Sequence, residues 1–130
     1  MVYGFLETCA SLNLRRLRSE REYLGARLYV ETMGGGGPPV VFLPGLMAST
    51  RYWNRQKLAP LAGSRRLIFL DESGFGRSPW PDSEYTLDNH LSAIRRTLVA
   101  EGATSHVIVV GHSFGAILAC LLCRALSIRG

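Results

Sequence analysis

The chain has 130 residues, of which 47% are hydrophobic and 19% charged. That is enough for one modest domain with a buried core, and it excludes a disordered polar chain. Lys and Arg number 15 against 10 Asp and Glu, a net charge of +5, and Lys57 is the only cation that is not Arg.

The arginines cluster at Arg15, Arg16, Arg18 and Arg21, then at Arg65–Arg66 and Arg95–Arg96. Nucleic-acid binding would want them on one face with stacking aromatics or a reader motif. The sequence carries no such motif, so solvated helix faces and loops account for them and no nucleic acid is expected as a partner. The three cysteines, Cys9, Cys120 and Cys123, have no framework spacing, which argues against a disulfide-stapled secreted domain. The apolar start Val2-Tyr3-Gly4-Phe5-Leu6 has no basic residue before it and is interrupted by Glu7, so it makes a poor signal peptide. No apolar run is long enough for a membrane span, and a cytoplasmic setting is the expectation.

In chain order, residues 1–23 read as an N-terminal extension, with a weakly amphipathic basic helix over 6–23. The segment 26–32 alternates through Leu28 and Val30 and reads as a half-buried strand. Gly34–Gly37 and Pro38-Pro39 break it; no Gly-Lys-Ser/Thr follows the glycines, so they make a turn rather than a phosphate cradle. Val40-Val41-Phe42-Leu43 is a continuous apolar run between prolines, as expected of a strand buried on both faces. A helix is expected over 50–61, and Leu67–Leu70 repeats the buried-strand pattern before Asp71. Glu72 to Ser83 is loop. Thr86 has the makings of an N-cap, and Asp88 adds charge of the right sign. The helix it opens carries Leu91, Ile94 and Leu98 at helical spacing and stops at Gly102; His90 is expected on its exposed face. His106 is expected to start a third buried strand, Val107–Val110, and the apolar stretch 114–128 reads as a helix covered on most sides. Short apolar strands alternating with helices indicate an α/β fold: a mostly parallel sheet with flanking helices, and no internal repeat or linker divides it.

In such a sheet, reacting groups sit at the carboxyl ends of strands. Three turns lie there: Pro44-Gly45-Leu46, Asp71–Ser78 and Gly111-His112-Ser113-Phe114-Gly115. Gly-x-Ser-x-Gly between a buried strand and a helix is a nucleophile elbow. The turn is tight, so the positions two before and two after Ser113 must be small, and Gly111 and Gly115 meet that demand. Acyl transfer also needs backbone N–H donors for the oxyanion. One falls to Phe114. The other falls to the loop after Leu43, at Leu46, with Met47 the next choice.

These segments together resemble the N-terminal half of an α/β-hydrolase-fold protein of the serine type, over about residues 24–124. The resemblance rests on Val-Val-Phe-Leu-Pro-Gly-Leu at 40–46, Leu-Asp-Glu-Ser-Gly-Phe-Gly-Arg-Ser at 70–78, Tyr-Thr-Leu-Asp at 85–88 and Val-Ile-Val-Val-Gly-His-Ser-Phe-Gly-Ala at 107–116. It implies catalysis by Ser113, with oxyanion donors at Leu46 and Phe114, on an ester, thioester or related small acyl substrate, without cofactor or metal. Serine at 113 departs from the subgroups that use an aspartate nucleophile, the epoxide hydrolases and haloalkane dehalogenases. Members often have His where this chain has Pro44, which lacks an N–H and fixes φ.

The resemblance places the acid and the His of the triad after the serine. Residues 114–130 contain no Asp, Glu or His. The chain is therefore expected to be inactive alone, the incomplete N-terminal half (24–130) of such a domain. The non-enzymatic alternative is a truncated pseudoenzyme or binding module. In either case the strand at 107–110 is expected to be an open edge that invites self-association. His112, in the elbow beside the nucleophile, is expected to pack or hydrogen-bond rather than act as base, and Asp71 to hold the loop of Gly74 and Gly76. Tyr52, Trp53 and Trp80 either line an apolar pocket or pack ordinarily. Cys120 and Cys123 read as buried structural thiols rather than a metal pair.

Overall fold

The structure is a computed structural model that describes residues 27–80 and 84–127. The helix expected over 6–23 lies outside the described residues.

Four strands, β1 (Val30–Met33), β2 (Pro39–Leu43), β3 (Arg66–Leu70) and β4 (Ile108–Gly111), form one sheet in the order β1-β3-β2-β4. The pairs β2–β3 and β2–β4 are parallel and β1–β3 is antiparallel. Helix α1 (Arg55–Ala62) joins β2 to β3, α2 (Leu87–Ala100) joins β3 to β4, and α3 (Phe114–Ser127) follows β4. The crossover through α1 moves one way along the sheet and that through α2 moves back. Crossovers of one hand then put their helices on opposite faces. The side chains follow: Val41, Leu43, Ile68 and Leu70 pack with α2 and α3, whereas Val40, Phe42, Leu67 and Phe69 pack with Trp53 and Leu58 on the α1 side. This two-sided burial is why β2 and β3 lack any polar alternation.

The local signals at α2 act as expected. Thr86 is extended and its hydroxyl accepts from Asn89 N–H at 3.1 Å. The helix ends with Glu101 as C-cap, and Gly102 follows at φ +69°. The helix expected over 50–61 is two pieces: a 3-10 turn over Thr50–Tyr52, and α1 from Arg55. Two caps compete there, since Ser49 accepts from Arg51 N–H and Asn54 from Lys57 N–H, with Trp53 extended between them. His106 does not start a strand: it stands in a turn at φ +51°, and β4 begins at Ile108. The last helix is less covered than its composition suggests. Ile117, Cys120 and Arg124 form an exposed stripe along α3, so Cys120 is exposed while Cys123 is buried. β4 pairs with β2 alone among the described strands and forms an edge of the sheet.

Two arginines serve the fold. Arg55 lies over the Phe69 ring at 3.3 Å and bonds Glu31 at 2.6 Å, and Arg66 bonds the Glu101 carboxylate at 2.6 Å. No helix among the described residues is long and apolar enough to cross a membrane.

Candidate active site

The carboxyl ends of β2, β3 and β4 bring the three turns together. At the end of β4 the chain reverses from strand to helix within two residues, His112 and Ser113. Ser113 takes φ +54°, in the left-handed region that L-residues with a Cβ avoid at a cost of about 1–2 kcal/mol. The turn persists because its surroundings over-determine it. His112 N–H donates to the Leu43 carbonyl at 3.1 Å, and the carbonyls of His112 and Ser113 accept from Gly115 and Ala116 N–H at 2.9 Å each. A Cβ on Gly111 would fall on the Gly115 carbonyl, and one on Gly115 would fall on the Leu43 carbonyl. The two glycines let the start of α3 lie directly on the end of β2. The Ser113 side chain is left exposed above the strand ends.

Phe114 is the first residue of α3, so its N–H has no partner within the helix and points outward at the positive end of the helix dipole. The loop after β2 lies against the elbow: a Cβ on Gly45 would sit 3.4 Å from Ser113 Cβ and 3.1 Å from His112 Nδ1. This loop closes as a turn, with Ala48 N–H donating to the Gly45 carbonyl at 3.1 Å and Met47 at φ +62°. Leu46 and Met47 are 58% and 82% exposed, and they place apolar surface beside the serine. His112 stacks on Tyr52, with ring centroids 4.4 Å apart. Trp53 packs edge-on against Phe42 at 5.1 Å within the core on the α1 side, while Trp80 is exposed.

The third turn is held by Asp71, which is buried. One carboxylate oxygen accepts from Thr50 N–H at 2.5 Å, and the other accepts from Arg77 N–H at 2.9 Å. Gly76, at φ +55°, passes so close that a Cβ would fall on that carboxylate. Asp71 thus ties the 71–78 loop to the 3-10 turn after the Gly45 loop, which is the holding role its position suggested.

One expectation is overturned. His90 does not face solvent: it is 3% exposed, with Nδ1 3.6 Å from Oε2 of Glu72, itself 1% exposed. His90 lies four residues before Ile94 and eight before Leu98, so it shares their inward face. Its ring meets Phe114 edge-on at 5.2 Å and Tyr85 at 6.1 Å. Neither Glu72 oxygen nor His90 Nδ1 has a hydrogen-bond partner within normal distance among the described residues. Burial pushes the Glu72 carboxyl up from the ordinary carboxylate value; His90 opposes that push and Asp71 adds to it. Sequence reading passed over Glu72 as a loop residue. The available signal was a carboxylate directly after a buried strand, opposite a His in register with an apolar helix face.

Comparison with known proteins agrees with this architecture. A family model described as "alpha/beta hydrolase fold" matches residues 38–126. The chain is 36% identical over 88 residues to "Probable lysophospholipase BODYGUARD 2" of Arabidopsis thaliana, covering 64% of this chain and 19% of that protein. It is 36% identical over 99 residues to "Lipase LipV" of Mycobacterium tuberculosis, covering 75% of this chain and 36% of that protein. Among solved structures, the esterase RhEst1 from Rhodococcus sp. ECU1013 superposes with a TM-score of 0.68 at 36% identity, over 74% of this chain and 36% of the esterase. The chain therefore spans about a fifth to a third of the length of these relatives. With a match over most of its length and a sheet, crossovers and turns of the same kind, the chain belongs to the alpha/beta hydrolase fold family.

Proposed function

We propose that Ser113 is the nucleophile of a serine hydrolase that acts on esters of small acyl compounds, with Phe114 and Leu46 N–H as oxyanion donors. The observation that carries this reading is the backbone of Ser113. A non-glycine residue at φ +54°, exposed at the carboxyl end of β4 and wedged between two glycines whose Cβ atoms would clash, is strained in the way a nucleophile elbow requires. The Ser113 hydroxyl attacks the acyl carbonyl carbon, and the electron pair moves to the carbonyl oxygen beside the two N–H groups. As the carbonyl re-forms, the bond to the leaving oxygen breaks, and that oxygen takes up the proton lost from the Ser113 hydroxyl, so that an alcohol departs and the acyl group stays on Ser113. Leu46 and Met47 offer the acyl or alkyl part an apolar surface, and the relatives named lipase, lysophospholipase and esterase are in keeping with such substrates.

This reading assigns the acid and base of the triad to protein outside these 130 residues, since no Asp, Glu or His follows Ser113 in the sequence. It therefore expects acylation without turnover. p-Nitrophenyl acetate carries a leaving group that needs no acid. The chain should release at most one p-nitrophenol per molecule, slowly, and Ser113→Ala should release none above background. A parent rate equal to that of Ser113→Ala overturns the proposal.

A second reading, a non-catalytic module that associates through its sheet edge, is favoured by β4 having a single partner among the described strands and by the exposed stripe of Ile117 and Cys120 beside it. Sedimentation at rising concentration should show association that a proline at Val109 reduces. A monomer at all concentrations contradicts it.

A further inference from the structure

Tyr52 and His112 have no part in the bond changes proposed above, yet their rings stack beside the elbow, with centroids 4.4 Å apart and 25° between their planes. The stack has a firm base. Tyr52 is half-exposed, but its ring meets Trp53 edge-on at 5.0 Å. Trp53 meets Phe42 at 5.1 Å, and Phe42 stacks on the buried Phe69 at 4.7 Å. A row of rings in stacked and edge-on contact thus runs from the core on the α1 side to His112, next to Ser113.

At His112 the row meets the backbone. A Cβ on Gly45 would stand 3.1 Å from the imidazole Nδ1, closer than ordinary contact, so the glycine lies flat against the ring. That Nδ1 is buried and has no hydrogen-bond partner among the described residues, so on this side the ring acts through its shape. Gly45 directly precedes Leu46, and His112 directly precedes Ser113 and Phe114. The imidazole therefore stands between the two stretches of backbone that carry the N–H groups assigned to the oxyanion. Phe114 is fixed by the start of α3, but the loop that carries Leu46 has few other supports. It is tied at one end, where the Leu43 carbonyl accepts from His112 N–H at 3.1 Å, and at the other, where Asp71 accepts from Thr50 N–H at 2.5 Å. Between those ties it makes no hydrogen bond to another backbone segment among the described residues; Ala48 N–H donates to the Gly45 carbonyl within the loop itself, at 3.1 Å.

We infer that His112 is a positioning residue: held under Tyr52 and against Gly45, its ring sets the gap between the Leu46 and Phe114 N–H groups. The inference rests on the reading of those two groups as oxyanion donors, and deepens it by naming what holds them apart. A donor serves only within about 2.7–3.1 Å of the oxyanion, and a misplacement of about 1 Å is enough to forfeit much of its effect. A flat ring backed by a second ring resists such drift in a way that a flexible side chain does not.

The test reads the loop first, by amide hydrogen exchange in the folded chain. Exchange at Ala48 N–H, which closes the turn over Gly45, should be about three- to tenfold faster in His112→Ala, the weight of one hydrogen bond. Ala103 N–H, bonded to the Leu98 carbonyl at the far end of α2, should keep the parent rate. His112→Phe keeps a flat ring without nitrogens and should restore slow exchange at Ala48, whereas His112→Asn keeps a polar group without the ring and should not. Tyr52→Leu should loosen the same amide and Tyr52→Phe should leave it as in the parent. Unchanged Ala48 exchange in His112→Ala overturns the inference, as does rescue by Asn in place of Phe. Should His112→Ala fail to fold, Tyr52→Leu decides at the same amide. The donors are read next, by the rate at which a fluorophosphonate modifies Ser113, since its phosphonyl oxygen takes the place of the oxyanion. His112→Phe should match the parent, and His112→Ala should be slower by about tenfold or more, towards the 10²-fold that loss of one donor costs. A loosened loop with an unchanged rate of modification overturns the inference while leaving Ser113 as nucleophile. A parent that takes no label at Ser113 removes the nucleophile, and Ala48 exchange then decides by itself whether the His112 ring positions the loop.

Discussion

Replacing Ser113 with glycine should stabilise the fold while destroying the proposed chemistry. Ser113 stands at φ +54°, where a residue with a Cβ is disfavoured by about 1–2 kcal/mol and glycine is not. Glycine also gives the unfolded chain more freedom, which takes back about 0.5–1 kcal/mol. The side chain is exposed, so removing it deletes no packing. The net expectation for Ser113→Gly is a gain of roughly 0.5–1 kcal/mol, or about 2–5 °C in melting temperature for a domain of this size. Ser113→Ala keeps the Cβ and hence the strain, so it should fall within about 0.5 kcal/mol of the parent. The comparison of Gly with Ala isolates backbone strain from the loss of the hydroxyl. Urea denaturation of the three proteins side by side, read by far-UV circular dichroism, measures it. If Ser113→Gly is no more stable than Ser113→Ala, the elbow is not strained and the argument from its backbone fails.

Other substitutions test the surroundings of the turn. Gly115→Ala sets a methyl on the backbone carbonyl of Leu43, which cannot swing aside as a side chain would; a loss of about 3 kcal/mol or more is expected in the same denaturation assay. Gly36→Ala, with nothing near its Cβ position, is the control that should be neutral. Asp71→Ala strips the acceptor from the N–H groups of Thr50 and Arg77 and should cost about 2–4 kcal/mol, with faster hydrogen exchange at those two amides. Glu72→Gln should change the pH dependence of stability. The Glu72 carboxyl is raised above its ordinary value of 4.5, so the stability linked to its neutral form is fully present below that pH and is lost as pH rises through the folded value. Each unit of that rise is worth about 1.4 kcal/mol. The parent should therefore weaken as pH rises above the ordinary carboxylate value while Glu72→Gln stays flatter, as read from urea midpoints across pH; parallel curves would count against a buried, raised carboxyl.

Much of the fold is legible in the chain because its signals are local and strong. The runs Val40–Leu43 and Leu67–Leu70 have no polar alternation, and the structure packs both of their faces. Thr86 sits where its hydroxyl reaches the Asn89 N–H, and the cap forms. The elbow combines a buried strand, two obligatory glycines and an apolar helix, so its backbone could be anticipated to the residue. Where the reading failed, the deciding partner was distant in sequence. His90 looks polar within its own helix, and only the meeting of that helix with the loop after β3 turns it into half of a buried pair. The break at Trp53 depends on two caps, Ser49 and Asn54, too close together for one helix to accommodate both. The bare stripe on α3 reflects what does not pack on that helix, which its uniformly apolar composition could not reveal.

The role of Ser113 as a nucleophile is most directly tested by mapping a covalent adduct. The chain is incubated with excess fluorophosphonate, digested, and every serine peptide is quantified by mass spectrometry, with Ser113→Ala as the reference. Oxyanion donors alone, without a working triad, retain about 10³–10⁴-fold of catalysis over water in comparable enzymes. The account therefore predicts slow modification at Ser113 that far exceeds that of the other exposed serines and is absent from Ser113→Ala. Modification spread evenly over the serines, or none at Ser113, would contradict it.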